Sequence, residues 1–410
     1  MNWEHGMRDM NITLARSARL PFSILASATI AAVVAATVGL TAGKPKPLVA
    51  VDLQTLGGHF SQASAVNPRG LVVGRSSLAG DDTVYHAFAW SDDDGMSDLG
   101  TLGGSLSWAS LVTNDGAIAG FSYLPGDATY HAFVWKRAHG MIDLSTLGGA
   151  TSSPTAINAK ETVAGYSYLS DNLVYHAFRW TRRQGMIDLG TLGGRFSTAY
   201  GINEHGAIVG ASSVAPDDAS HAFIWTREGG MVDLGTLGGY ASWAHGISDD
   251  GIVVGNSLTA AGENHAFAWS RHTGMVDIGT MGLDSWAEKI GANHTAIGQG
   301  YTPAGVRHGY AWDRRDNDPI DLGTLGGDTS YANAVSDSGT VVGGSWTAGN
   351  AVWRAFVWSA QLGMMPLETP SGGQSEATAT SDSFVAGYSC TVDHLECHAT
   401  LWQPAQRPNR

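Results

Sequence analysis

Basic residues are scarce. The chain of 410 residues carries 23 Lys and Arg against 37 Asp and Glu, a formal net charge of −14. A protein that tracks a phosphate backbone shows the opposite sign, so composition argues against nucleic acid as a partner. Charged residues of both signs make up 15%, against about 25% in ordinary domains. No helix-period pattern appears after residue 47. Gly-x-Ser-x-Gly, His-Glu-x-x-His and a phosphate-binding Gly-Lys-Thr are all missing, which removes the enzyme classes those motifs mark, though not enzymes that assemble sites from scattered loops. There are two cysteines, Cys390 and Cys397, and neither lies near the N-terminus to carry a lipid anchor.

What is abundant is glycine, 54 residues, nearly twice the usual share of about 7%. Such a chain is rich in turns, yet its hydrophobic content of 43% is enough for a large core. At the N-terminus Arg8, Arg16 and Arg19 precede an apolar run from Phe22 to Ala42, ended by Gly43-Lys44-Pro45. That order is the n-region and h-region of a secretory signal, and the run is long enough for an uncleaved inner-membrane anchor instead. Residues 1–43 are therefore expected to direct export, with the mature protein secreted, periplasmic or on the cell surface. Any membrane contact would run through that segment alone.

Internal repetition dominates the remainder. Asp98-Leu99-Gly100-Thr101-Leu102-Gly103-Gly104 returns with its Asp at 143, 188, 233, 277 and 321, with a first copy at Asp52 and a degraded one at Pro366-Leu367. Between these copies stands His-Ala-Phe-x-Trp, ending at Trp90, Trp135, Trp180, Trp225, Trp269, Trp312, Trp358 and Trp402, at spacings of 43 to 46 residues. Each of the eight units holds four short strand-like stretches. In the fourth they are Ser197 to Asn203, Ala207 to Ser212, His221 to Trp225 and Met231 to Leu237. Four strands in about 45 residues is the length of a propeller blade.

The last unit stops after its third strand at Trp402, and the segment Leu48 to Leu56 supplies a spare fourth-type strand. The expected fold is all-β, an eight-bladed β-propeller over residues 44–403 with a tail at 404–410. It closes when the N-terminal strand pairs with the last three, which removes exposed edges. The Ser-x-Ala strand is then innermost and the Asp-Leu-Gly-Thr strand outermost. The Leu-Gly-Gly segment crosses from one rim to the next centre, where glycine suits close approach or positive φ.

Residues that vary together give a second check. Tyr123 and Tyr130, Tyr168 and Tyr175, Trp346 and Trp353, and Cys390 and Cys397 are each seven apart at equivalent positions. Aromatic pairs in some copies and cysteines in another mark directly opposed hairpin residues. A Cys390–Cys397 disulfide is expected, in keeping with an oxidising compartment. Its loop is short, so it fastens a hairpin and adds little global stability.

The motifs Asp-Leu-Gly-Thr-Leu-Gly-Gly and His-Ala-Phe-x-Trp, with the intervening Gly206-Ala207-Ile208-Val209-Gly210, resemble the bacterial HAF repeat of probable extracellular proteins over about residues 48–402. Departures are His308-Gly309-Tyr310 in the sixth unit, Arg354 for His in the seventh and Thr400 for Phe in the eighth. The resemblance implies export and repetition and no particular activity.

Histidines 86, 131, 176, 221, 265, 308 and 398 head the third strands. Spread around a ring they cannot share one ion, so hydrogen bonding between strands or blades is the expectation, with no metal and no cofactor. The repeated Trp and Phe read as core between twisted sheets, and the repeated Asp as a carboxylate closing a turn. The runs Asp81-Asp82, Asp92-Asp93-Asp94 and Asp217-Asp218 lack the spacing of a calcium loop and read as solvated turns.

Functional information lies where the copies disagree. The innermost strand reads Ser-x-Ala-x, with Ala in seven of eight units and both x positions varied. Alternation along a strand then packs one face and turns the varied face toward the channel or its mouth. Trp108, Trp243, Trp286 and Tyr331, interleaved with Tyr200, His245, Glu288, Asn333 and Glu376, form the candidate ligand-binding set, with Trp243, Trp286 and Tyr331 on consecutive blades. Rings with polar neighbours suit sugars, so a binding or interaction module for a glycan or other polar cell-envelope ligand is the leading expectation. Rings packed only between blades are the competing account. Two other functions fit the sequence. One is a polysaccharide hydrolase or lyase using Glu288, Glu376 and His245 at the mouth, the carboxylates needing a separation of about 5 to 10 Å. The other is a non-catalytic structural or adhesion scaffold using outer loops.

Overall fold

The computed structural model of the chain describes residues 37–38, 46–216, 219–314 and 318–405. The expected leader, apart from residues 37–38, lies outside them, as do Asp217, Asp218 and residues 406–410. The described residues are all-β apart from a three-residue turn of 3-10 helix at Ala348–Asn350. Thr37–Val38 pairs with Lys46 and Pro47.

Each blade is an antiparallel meander. Blade 2 runs Ser107–Val112, Ile118–Tyr123, Tyr130–Lys136 and Gly140–Asp143. Blades 3 to 7 repeat this order, beginning at Gly148, Gly193, Gly238, Ser285 and Gly326, and blade 1 spans Gly57 to Asp98. Blade 8 combines Gly372–Thr380, Val385–Thr391 and Cys397–Pro404 with Lys46–Asp52, which pairs antiparallel from Leu48 opposite Pro404 to Asp52 opposite Thr400. The protein is thus an eight-bladed β-propeller. Every first strand lies against the first strand of the next blade, and that of blade 8 lies against that of blade 1, so the inner ring is complete.

The fourth strands are shorter than the motif suggests, since the first copy ends at Asp52 and not Leu56. The aspartate stops the strand. Its carboxylate accepts the N–H two residues on, as Asp98 does from Gly100 at 2.7 Å, and Gly100 then turns with φ +74°. Five more copies do the same, and Asp52 accepts from Gln54.

The repeated histidine meets the same carboxylate. In seven blades its Nδ1 lies 2.7–2.9 Å from an oxygen of the Asp on strand four. Histidine therefore ties strands three and four of one sheet. In blade 7 both partners change together. Arg354 replaces His, Pro366 replaces Asp, and the guanidinium donates instead to the carbonyls of Gly372 and Gly373.

Neighbouring blades are fastened by the serine of Ser-x-Ala. Ser107 Oγ accepts the Ala87 N–H of blade 1 at 2.8 Å and donates to Gly100 O at 2.6 Å. An N–H of the preceding blade's third strand is met in this way at all eight junctions, including Ala399 N to Ser61 Oγ across the closure. These serines are buried, and each satisfies a donor that would otherwise be an orphan.

Core rings sit between sheets: Phe88, Phe133, Phe178, Phe223, Phe267, Phe356 and Trp402 are fully buried. Third-strand tryptophans lie opposite a fourth-strand methionine, as Trp135 opposes Met141. Cys390 and Cys397 are directly opposed and joined as a disulfide.

The closure also carries a pH dependence. The Asp52 hydrogen bond, opposed by burial, holds His398 above its ordinary value. That contribution is complete below about pH 6.5 and is lost as pH rises through the raised value. Burial alone would raise Asp52, but bonds from His398 and the Gln54 N–H hold it below its ordinary value. Its contribution is complete above about pH 3.9 and is lost as pH falls through the lowered value. The pair therefore supports the closure most between about pH 4 and 6.5. Asp52→Asn is expected to lower the urea midpoint most in that window, and a parallel loss at all pH values would contradict the assignment.

Candidate functional site at the channel mouth

Antiparallel geometry puts the start of each first strand, the crossing from the preceding blade and the hairpin between strands two and three at one end of the channel. The Ser and Ala of Ser-x-Ala are buried, whereas all nine candidate residues are half-buried. The first varied position obeys the alternation expected. The second does not, because strand one carries a bulge there in every blade, with register shifts such as Ala63/Ala65, Ala244/Gly246 and Ala287/Lys289. Ser64, Ser110, Thr155, Tyr200, His245, Glu288, Asn333 and Thr378 are the bulged residues. A bulge bends the strand and re-aims the extra side chain.

Three bulged residues serve the ring itself. Thr155, Asn333 and Thr378 donate to the Ala carbonyl of the next blade, at Ala199 (2.9 Å), Ala377 (2.9 Å) and Ala63 (2.8 Å), the last across the closure. Others meet different partners. Ser64 Oγ accepts from Trp108 Nε1 at 2.7 Å. Tyr200 and His245 rings lie 5.3 Å apart. Glu288 Oε1 accepts from Trp286 Nε1 at 2.9 Å and Gln299 Nε2 at 3.0 Å. Glu376 has both oxygens engaged, by Asn333 Nδ2 at 2.8 Å and Tyr388 OH at 2.9 Å. The two glutamates of the enzymatic reading thus sit in separate hydrogen-bond sets.

The four aromatic platforms are not equivalent. Trp108 carries the Arg75 guanidinium over its ring at 4.0 Å, and Tyr331 carries that of Arg307 at 4.0 Å with Trp353 beside it. Trp286 lies 6.1 Å from Tyr301. Trp243 has no ring, guanidinium or hydrogen-bond partner for its indole among the described residues. Directly opposite Trp243 is Asn256, and opposite Trp286 is Gln299, so blades 5 and 6 each pair an indole with an amide. Asn256 Oδ1 accepts from His245 Nε2 at 2.8 Å, and its Nδ2 donates to Asn264 Oδ1 at 2.8 Å.

Burial pushes the His245 imidazole below its ordinary value, so it is neutral at pH 7. Burial likewise raises the Tyr200 hydroxyl to about 12 and lifts Tyr310. Lys289 is solvent-exposed yet its ammonium is lowered by desolvation, the combination expected of a group in a narrow channel; its Nζ donates to Asn333 O at 2.7 Å.

Sequence reasoning missed Arg75, Asn256, Gln299 and Lys289. The first three share a legible signal, the variable x of Gly-x-Ser on strand two, which becomes Gly-x-Gly at Gln299. No group of three or more His, Cys, Asp or Glu suited to a metal occurs among the described residues. A separate cleft of about 220 Å³ lies between blades 5 and 6, lined by residues that include Ile252, Trp269, Val276, Trp312 and Arg314. Blade 6 has only Ile320–Asp321 as strand four, so Trp312 lacks the opposed methionine that most other blades provide.

No family model matches the chain, and no curated protein matches its sequence. Solved structures do. The Dos1 propeller is similar with a TM-score of 0.51 at 12% identity, over 88% of this chain and 96% of that one. Dipeptidyl peptidase 4 of Porphyromonas gingivalis gives 0.53 at 11% identity, over 83% of this chain and 57% of that one. At these identities the likeness concerns the β-propeller fold alone.

Proposed function

We propose that this β-propeller is an exported binding module that recognises a glycan, or another polar ligand of the cell envelope, at the channel mouth of blades 5 and 6. The observation that carries the reading is Trp243. Its indole is half-buried with no ring, guanidinium or hydrogen-bond partner among the described residues, and it stands opposite an asparagine in a blade adjacent to the Trp286–Gln299 pair. A sugar presents an apolar C–H face to such a ring and its hydroxyls to the neighbouring amides and to Glu288. Export is supported by the basic-then-apolar N-terminal segment, by the disulfide and by the HAF-repeat resemblance.

A glycan array followed by calorimetry tests this. Trp243→Ala is expected to weaken the selected oligosaccharide at least tenfold, about 1.4 kcal/mol. Absence of saturable binding, or full affinity in the variant, sinks the proposal. Cleavage products that depend on Glu288 would replace binding by catalysis.

A further inference from the structure

We propose that the same mouth selects an acidic saccharide, with Arg75 as the anchor for the sugar's carboxylate. This rests on the saccharide reading of the mouth but on a different wall, between blades 1 and 2. Arg75 stands opposite Gln62 on strand two of blade 1. Its guanidinium lies over the ring of Trp108 of blade 2 at 4.0 Å, with the rings of Tyr85 at 5.4 Å and Phe60 at 5.5 Å around it. Desolvation lowers its pKa. A cation so placed ordinarily has a carboxylate beside it. Among the described residues Arg75 has none: its side chain makes one hydrogen bond, from Nη2 to Gln62 Oε1 at 3.3 Å, while Nε is buried without an acceptor and Nη1 makes no hydrogen bond.

The arrangement recurs. Arg307 of blade 6 lies over Tyr331 of blade 7 at 4.0 Å, again with no acid bonded to it among the described residues. Lys289 is a different case, since its Nζ donates to the Asn333 carbonyl and the Glu288 carboxylate acts on it electrostatically. The two mouth acids give hydrogen-bond acceptance to Trp286, Gln299, Asn333 and Tyr388 instead. In a chain of net charge −14, Arg75 and Arg307 thus stand over rings with no acidic partner among the described residues. A planar guanidinium held over a ring, with Nη1 unbonded and Nη2 held only by a long bond to Gln62, matches a carboxylate in fork geometry. Gln62 stands beside it for an adjacent hydroxyl.

Calorimetry with trigalacturonate, its methyl ester and inorganic phosphate separates the possibilities. The acid is expected to bind at least tenfold tighter than the ester. Arg75→Gln should erase that preference while leaving the ester within twofold, and Arg137→Gln, on the outer rim paired with Asp94, should change neither. Should Arg75→Gln fail to fold, Arg75→Lys keeps the charge without the fork and is expected to lose most of the preference. Equal affinity for acid and ester, no binding by any probe, or phosphate competing at the trigalacturonate concentration overturns the proposal. Trp243→Ala is the separate control: if acid and ester bind alike through Trp243, the glycan platform stands and the Arg75 anchor falls. If the acid preference survives while Trp243→Ala has no effect, the anchor stands and the Trp243 platform falls.

Discussion

Deleting the chain through Asp52 is expected to abolish cooperative unfolding, and a chain beginning at Leu53 should be recovered largely as aggregate. The lost strand supplies Leu48, which is buried against Trp402, Val385 and Leu367, the ladder from Leu48–Pro404 to Asp52–Thr400 and the Asp52–His398 bond. Trp402 is fully buried and opposes Ala50, where blades other than the sixth place methionine. Removal of its cover exposes the largest ring in the closure and leaves a raw strand edge. Trp402→Ala probes the same junction more gently and should cost about 3–5 kcal/mol. A synthetic peptide spanning the missing strand is expected to restore part of the soluble protein when added during refolding. An unchanged urea midpoint after deletion would mean that blade 8 is complete without the N-terminal strand.

The second large effect concerns a glycine in the middle of a strand. A Cβ at Gly210 would stand 1.9 Å from Thr198 O and 2.9 Å from Phe223 Cε1. The carbonyl belongs to the innermost strand and the ring to the core, so neither can retreat cheaply. The same approach, 1.8–2.0 Å, occurs at Gly74, Gly120, Gly165, Gly255, Gly298, Gly343 and Gly387. Gly210→Ala is therefore expected to exceed the about 1–3 kcal/mol usual for overpacking. Gly206→Ala is the comparison. It has φ +84° and open space around it, so only backbone strain of about 1–2 kcal/mol is expected. Denaturant titration of the two variants checks the order, and a smaller loss at Gly210 would show that the inner strand yields.

Periodicity made the architecture legible because each copy repeats the same strand boundaries, and the missing fourth strand at Trp402 matched the spare one near Leu48. Cys390 and Cys397 were legible for a related reason: aromatic pairs held the same opposed positions in other blades. Bulges were not legible. A register shift at His245 or Glu288 leaves the apolar pattern of its own strand unchanged and is visible only against strand two. Ser107 read as a small packed residue because its partner, Ala87 N–H, belongs to another unit and is backbone. Trp108 read as an open platform for the same reason, since Arg75 reaches it from the preceding blade. Contacts between side chains of one copy show up as residues that change together, whereas the serine bond recurs at all eight junctions yet leaves no such mark, because its partner is backbone.

The junction of head and tail also has a consequence in time. Asp52 leaves the ribosome 346 residues before His398, and at about 5–20 residues per second the first strand waits about 20–70 s for its partner. Seven meanders can form in order of synthesis during that interval. The circle itself is sealed last, so its completion reports that all eight repeats have been translated.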